Sequence, residues 1–197
     1  MLNKDWNAAY ESGATPWDKG AAAPPIREFL ESQQLQGRAL LPGCGLGHDV
    51  RLLAEHGVDA VGMDLAPAAI AAAREHRLGQ LDNYELGDFL QLARRHHGQY
   101  DWLVEHTCLC ALDPAQRHSY VDSVYQALKP GGNFLAVFFR VVSDYQADGP
   151  PHPISEDEIS NLFDSRFERV EAFVPQQSYA CRPVGSEQVV WMIKRDC

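Results

Sequence analysis

The sequence predicts an α/β fold: a doubly wound, Rossmann-like sheet of seven strands, mostly parallel and finished by a C-terminal antiparallel hairpin. Three observations carry this expectation. Apolar residues recur with strand spacing and helix spacing in alternation along the chain. The glycine-rich turn Gly43-Cys44-Gly45-Leu46-Gly47 falls between a short apolar run and a helical pattern. The last two strand patterns, 169–174 and 189–194, leave no room for a crossover helix between them and should pair antiparallel.

Taken in order, Pro24-Pro25 opens a helix, because proline sacrifices no needed donor in a first turn. Ile26, Phe29, Leu30 and Leu35 follow at helical spacing, and Gly37 stops the element. Residues 39–41 form a buried strand that enters the glycine turn. The next helix carries Val50, Leu53 and Ala54 and ends at Gly57. Residues 58–63 form a strand closed by Asp64, with Met63 in the core, and Pro67 opens an alanine-rich helix. Tyr84 and Leu86 mark a weaker strand before Gly87-Asp88-Phe89, and 100–104 a further one. Asp113-Pro114 is a helix start, the aspartate accepting from first-turn amides, and Val121, Val124, Tyr125 and Leu128 keep helical spacing until Gly131-Gly132. The unbroken apolar run 134–139 suits a strand covered on both faces. Ser155-Glu156-Asp157-Glu158 has the form of a capping box ahead of Ile159, Leu162 and Phe163.

The chain has 197 residues, enough for one domain, expected over 1–197, that buries roughly 70% of its unfolded surface. Lys and Arg number 17 against 27 Asp and Glu, a net charge of −10. That balance counts against nucleic acid, whose phosphates call for a basic stripe, and against an anionic membrane surface. A small-molecule partner is expected, with the chain a monomer or weak homo-oligomer. Met1-Leu2-Asn3-Lys4-Asp5-Trp6 lacks the apolar stretch of a signal peptide, and the 5 cysteines are an odd number, so reduced thiols in a cytoplasm are expected.

The chemistry centres on strand, glycine turn, helix, strand and Asp64. Gly43, Gly45 and Gly47 allow close approach of a ligand to the backbone, and the following helix presents free N–H groups to an anionic group. An acid ending the second strand suits both hydroxyls of a ribose. A dinucleotide turn would place its third glycine at position 48, which is His48, so a nicotinamide oxidoreductase is disfavoured. The G-x-G-x-G spacing points to S-adenosylmethionine, leaving S-adenosylhomocysteine as product. Gly87-Asp88-Phe89 and Leu128-Lys129-Pro130-Gly131-Gly132, following in this order, strengthen that reading.

Trp6, Tyr10, Pro16-Trp17-Asp18, Leu41-Pro42-Gly43-Cys44-Gly45-Leu46-Gly47-His48-Asp49, Gly87-Asp88-Phe89 and Glu105-His106-Thr107-Cys108-Leu109-Cys110-Ala111-Leu112-Asp113-Pro114 together resemble the thiopurine S-methyltransferase superfamily. Within it the sequence is most similar to the thiol, thiocyanate and halide methyltransferases. The resemblance spans nearly the whole chain and implies the class I methyltransferase fold. It implies that residues 1–23 form an arm closing over the cofactor, with Trp6 and Trp17 as its aromatic residues and Tyr10 where plant relatives usually carry a third tryptophan. Gly43 and Asp64 then match contacts to the methionine and ribose parts, Asp88 and Phe89 contacts to adenine, and His106 a residue near the sulfonium. Two departures stand out: Ala66 where a helix-capping Ser is common, and Cys108-Leu109 where aromatic residues are frequent.

Residue type alone offers second readings. Trp6 and Trp17 also suit anchoring of an arm, Phe89 core packing, Asp88 a turn, and His106 a satisfied structural histidine. His106, Cys108 and Cys110 would face one way if their strand continued, but their spacing is unusual for zinc and no metal is expected. His96-His97 are expected to be solvated, and the proline-bearing loop 142–153 either caps the acceptor or merely connects. The expected activity is in-line methyl transfer to a small soft nucleophile, a thiol or sulfide sulfur first, with thiocyanate and halide alongside. Glu105 or His106 is the candidate base for a neutral thiol. The alternatives are a larger acceptor (an aromatic thiol, phenol or metalloid oxyanion) and a non-catalytic module that senses the cofactor.

Overall fold

The computed structural model describes residues 5–140, 149–183 and 185–196. Strands β1 (Arg38–Pro42), β2 (Asp59–Asp64), β3 (Asp82–Leu86), β4 (Tyr100–His106), β5 (Leu128–Phe139), β6 (Phe167–Phe173) and β7 (Glu187–Lys194) form one sheet in the order β3-β2-β1-β4-β5-β7-β6. Strands β1 to β5 pair in parallel, and β7 runs antiparallel between β5 and β6, as the sequence predicts. Helices are α1 (Trp6–Glu11), α2 (Pro24–Ser32), α3 (His48–Glu55), α4 (Pro67–Glu75), α5 (Arg117–Ala127) and α6 (Glu156–Phe163).

Strand alternation splits the core into two layers. Leu40, Leu103, Phe134, Ala136 and Phe138 point to one face, where Tyr120 of α5 and Phe163 of α6 cover them. Leu41, Trp102, Val104, Leu135 and Val137 point to the other, against Phe29 of α2 and Val50 and Leu53 of α3. Chain order reverses at β1, whose neighbours are β2 and β4. In an open parallel sheet, ligands bind in the crevice at the carboxyl ends of the strands that flank such a reversal.

The structure corrects several local expectations. α2 ends at Ser32, and Leu35 is buried in the connection that follows. Asp113 accepts from Ala115 N at 2.9 Å, but what it caps is a 3₁₀ turn, Pro114–Gln116, that leads into α5. α5 stops at Ala127 rather than at the glycines, because Pro130 disfavours helical geometry at the residue before it. Residues 129–132 instead bulge out of the β4–β5 ladder, where the register jumps from Tyr100↔Leu128 to Trp102↔Asn133. His96 is buried, not solvated: its Nδ1 lies 2.7 Å from the Tyr100 hydroxyl and the two rings stack. Among the described residues, no helix is long and apolar enough to cross a membrane. Of the loop 142–153, residues 142–148 lie outside the described part; Ile154, which follows it, bridges to Arg140.

Candidate active site

The glycine turn carries the chain from β1 into α3 at the sheet crevice. Gly43 and Gly45 have φ of 60° and 51°, a region L-residues avoid. A side chain at Gly43 would come within 3.0 Å of Cys108, and one at Gly45 within 2.6 Å of the Tyr10 hydroxyl. Gly47 ends the turn as the residue preceding α3. Asp64 ends β2 beside this turn. Its carboxylate accepts from Gly45 N and from Ala66 N, both at 2.9 Å. Burial pushes its pKa above the usual carboxyl value, against backbone hydrogen bonds from Ala66, Gly45 and Leu65. Each carboxylate oxygen has roughly two lone-pair sites, so acceptor capacity remains toward the crevice.

The crevice has two chambers. The larger, about 380 Å³, has walls from Trp6, Trp17, Asp64, Leu65, Cys108 and Arg182 among others. The smaller, about 70 Å³, lies between the glycine turn, His48, Asp49, His106 and Tyr179. Tyr10, Trp17, Lys19, Gly43 and Thr107 belong to both.

Trp6, Tyr10 and Trp17 of the N-terminal arm line the crevice from one side. Trp17 meets Trp6 and Tyr10 edge-on, with ring centroids 5.2 and 5.8 Å apart, and its indole N–H donates to the Tyr10 hydroxyl at 3.1 Å. The missing serine cap at Ala66 is made good by the arm: Asn7 Oδ1 of α1 accepts from Ala68 N in the first turn of α4 at 2.9 Å. Asp18 lies 3.1 Å from His48 Nε2, Ala23 N donates to Asp49 at 2.7 Å, and the Tyr179 hydroxyl donates to the Ala21 carbonyl at 2.7 Å.

The two candidate bases part company. β4 runs to His106, two residues beyond the expected end, and adjacent residues of a strand face opposite ways. Glu105 turns into the core, where it is 1% exposed. It accepts from the Tyr120 hydroxyl at 2.5 Å and from Cys108 N and Leu109 N at 3.1 Å each. It lines neither chamber, so the structure gives it the task of holding residues 107–109. Thr107 there has φ of 63°, and the 3₁₀ turn Leu109–Ala111 follows, so the alternation that would align His106, Cys108 and Cys110 stops. His106 turns to the smaller chamber, with Nδ1 2.9 Å from Asp49 Oδ2 and Nε2 buried without a hydrogen-bond partner among the described residues. Burial opposes its charge, but Asp49 outweighs this and holds the imidazole above its usual pKa.

The Phe89 ring packs in the core, 5.2 Å from that of Tyr120, where the cap that Asp88 makes on the turn Phe89–Gln91 directs it. Asp88 is exposed, accepting from Leu90 N at 2.9 Å and from the Gln91 amide at 3.0 Å. Cys108 and Cys110 line the larger chamber, and burial raises both thiols, Cys110 to about 12, so they stand as protonated walls. Sequence reasoning missed Asp49, Tyr179 and Arg182 as site residues. Asp49 adjoins the glycine turn and was visible there; Tyr179 and Arg182 sit on the irregular β6–β7 connection, where no periodicity marks them.

The sequence profile of the family described as thiopurine S-methyltransferase (TPMT) matches residues 1–195. The chain belongs to the thiopurine S-methyltransferase family. It is 32% identical over 161 residues to a probable thiol methyltransferase 2 of Arabidopsis thaliana, covering 80% of this chain and 70% of that one. It is 32% identical over 154 residues to thiocyanate methyltransferase 1 of Brassica oleracea, covering 76% and 67%. It is 30% identical to a 2-heptyl-1-hydroxyquinolin-4(1H)-one methyltransferase of Mycobacteroides abscessus, covering 84% and 73%. Among solved structures, the Burkholderia thailandensis 1,6-didemethyltoxoflavin-N1-methyltransferase shares the fold with a TM-score of 0.77 at 20% identity, covering 99% and 88%. A chain solved in work on conversion of a disulfide bond into a thioacetal group during echinomycin biosynthesis does so at 0.81 and 22%, covering 98% and 93%. This TPMT-family member is therefore an S-adenosylmethionine-dependent methyltransferase of class I fold. Its residues fit that cofactor: a carboxylate with free acceptor capacity stands beside a turn whose backbone is open to close approach.

Proposed function

We propose that this methyltransferase methylates a small soft nucleophile, a thiol or sulfide sulfur first, with thiocyanate and halide in the same class. The size of the larger chamber carries this reading. About 380 Å³ is near the low end of the roughly 300–1,000 Å³ typical of one ligand pocket, yet it must take an adenosyl group as well as the acceptor. The thiol and thiocyanate methyltransferases named above support it. Cys110, Ala111, Leu112, Pro150 and Pro151 make the acceptor wall apolar, which favours a polarisable nucleophile with little hydration.

In this reading Asp64 accepts from the ribose hydroxyls, and the polar smaller chamber, with Asp18, His48, Asp49 and His106, takes the amino-acid end. Asp88, by its place after β3, serves the adenine side. When bound, S-adenosylmethionine supplies a methyl group on a positive sulfonium, and its departure needs no proton on the leaving group. Trp6 and Trp17 offer aromatic faces to that charge and keep water out. The residues around the chamber hold the acceptor in line, which is the larger part of the catalysis. His106 lines only the smaller chamber, so no step at the acceptor falls to it. His106→Ala should reduce turnover of thiols and of iodide alike, and a loss confined to thiols would make it a base.

Headspace gas chromatography with S-adenosylmethionine and, separately, sulfide, methanethiol, iodide and thiocyanate tests the proposal. Methylated volatiles above a cofactor-free control, lost in Asp64→Ala, are expected. Their absence from protein that still binds cofactor would favour a larger acceptor, the second reading. The Mycobacteroides abscessus relative, named for a bulky heterocycle, is the observation on that side.

A further inference from the structure

The wall of the larger chamber contains two cationic residues among those described, Lys19 and Arg182. The Lys19 ammonium is taken up by the Pro16 carbonyl of the arm. Arg182 is placed differently. Its side chain is only 14% exposed, and its guanidinium lies 5.2 Å from the centroid of the Phe139 ring. Arg182 forms an ion pair with the buried Glu187, whose Oε1 is 3.6 Å from Nε, beyond hydrogen-bond range, while the other Glu187 oxygen takes the Ser178 hydroxyl. That Nε is buried with no hydrogen-bond partner among the described residues. The backbone of Arg182 is fixed by a 2.8 Å bond from its N–H to the Tyr179 carbonyl, and Tyr179 is itself tied to the arm. So a nearly buried cation with one unbonded N–H stands beside Cys108, Cys110, Ala111, Leu112, Pro150 and Pro151, in a chamber whose other walls carry Asp64 and the aromatic residues of the arm.

We propose that Arg182 reads the charge of the methyl acceptor: it binds the acceptor as a small anion, such as thiocyanate, hydrosulfide, a thiolate or iodide. This rests on the reading of the larger chamber as the acceptor site. A guanidinium shielded from water attracts a weakly hydrated anion strongly, and it holds a thiol in its ionised form. The anion's lone pair forms the new bond to carbon, the carbon–sulfur bond breaks with its pair on sulfur, and the charges of anion and sulfonium cancel. Negative charge on the acceptor thus decreases toward the transition state. Arg182 therefore stabilises the bound acceptor more than the transition state, and its contribution falls on KM rather than on kcat. The neutral product loses the attraction and is released.

The test is a calorimetric titration of thiocyanate, an anion at every working pH, into protein saturated with S-adenosylhomocysteine. Wild type, Arg182→Gln and Arg182→Lys are compared. Saturable binding in wild type, weakened about 10- to 100-fold in the Gln variant and less in the Lys variant, is expected, with S-adenosylhomocysteine affinity equal in all three. In turnover, KM for thiocyanate should rise by the same factor in Arg182→Gln while kcat does not fall. The proposal is overturned by any of three results: no thiocyanate binding in wild type, unchanged binding in Arg182→Gln, or a fall in kcat at constant KM. Arg182-dependent binding without methylated product would keep this inference and remove the proposed function. Methylated product with binding indifferent to Arg182 would do the reverse.

Discussion

Asp49 and His106 form the pair on which the smaller chamber turns. Burial opposes the charge on each, and each partner's opposite charge outweighs it, so Asp49 lies below its usual pKa of 3.8 and His106 above its usual 6.5. The sign of the pH dependence follows. The His106 contribution to stability is complete below 6.5 and is lost as pH rises through its higher folded value. The Asp49 contribution is complete above 3.8 and is lost as pH falls through its lower folded value. Asp49→Asn should bring the His106 pKa down, read from the imidazole resonances by NMR, and flatten the stability profile above pH 6.5. An unmoved His106 titration would show that the pair does not control the imidazole. The glycine turn and Asp64 were legible because their chemistry is local: strand, turn and acid lie within one short stretch. Glu105 and His106 were not separable by sequence, because parity along β4 decides which one meets the core.

At the level of elements, two connections hold the site. The first is α1 to α4, where Asn7 supplies the cap that Ala66 does not. Asn7→Ala should cost about 1 kcal/mol and loosen the arm. Faster hydrogen exchange in α1 and weaker cofactor binding are the expected results; unchanged exchange would show that the contact does not hold the arm. The second is Glu105, which ties β4 to the Cys108–Leu109 amides and to Tyr120 of α5. Glu105→Ala strips a buried hydroxyl and two amides of their acceptor, about 1–3 kcal/mol for each group. A marked fall in Tm, partly restored in Glu105→Gln, is expected. Loss of thiol turnover at constant Tm would instead make Glu105 a base. Most strands and helices were visible from periodicity, with ends displaced where Pro130 or the bulge at 129–132 intervened. For Phe89 residue type left core packing and an adenine contact both open, and the cap made by Asp88 turns its ring inward.

Across the whole molecule, the reversal of chain order at β1 sets the crevice, and two segments remote in sequence, the arm and the β6–β7 connection, meet over it through Tyr179 and Ala21. That meeting explains why Arg182 had no sequence signature: its position depends on tertiary closure, not on a local pattern. Binding that spans sheet and arm should stabilise the entire fold. S-adenosylhomocysteine at 100 times its Kd contributes about 2.7 kcal/mol, a rise in Tm of roughly 5–10 °C for a domain of this size. A shift with a nicotinamide dinucleotide and none with S-adenosylhomocysteine would contradict the assignment of the crevice.

The central claim is that the crevice serves a small soft nucleophile. Its most direct test is competition: wild-type protein, S-adenosylmethionine with a labelled methyl group, and equal concentrations of methanethiol and thiophenol. Labelled dimethyl sulfide should dominate over labelled thioanisole. Predominance of thioanisole, or label in neither product, would contradict it.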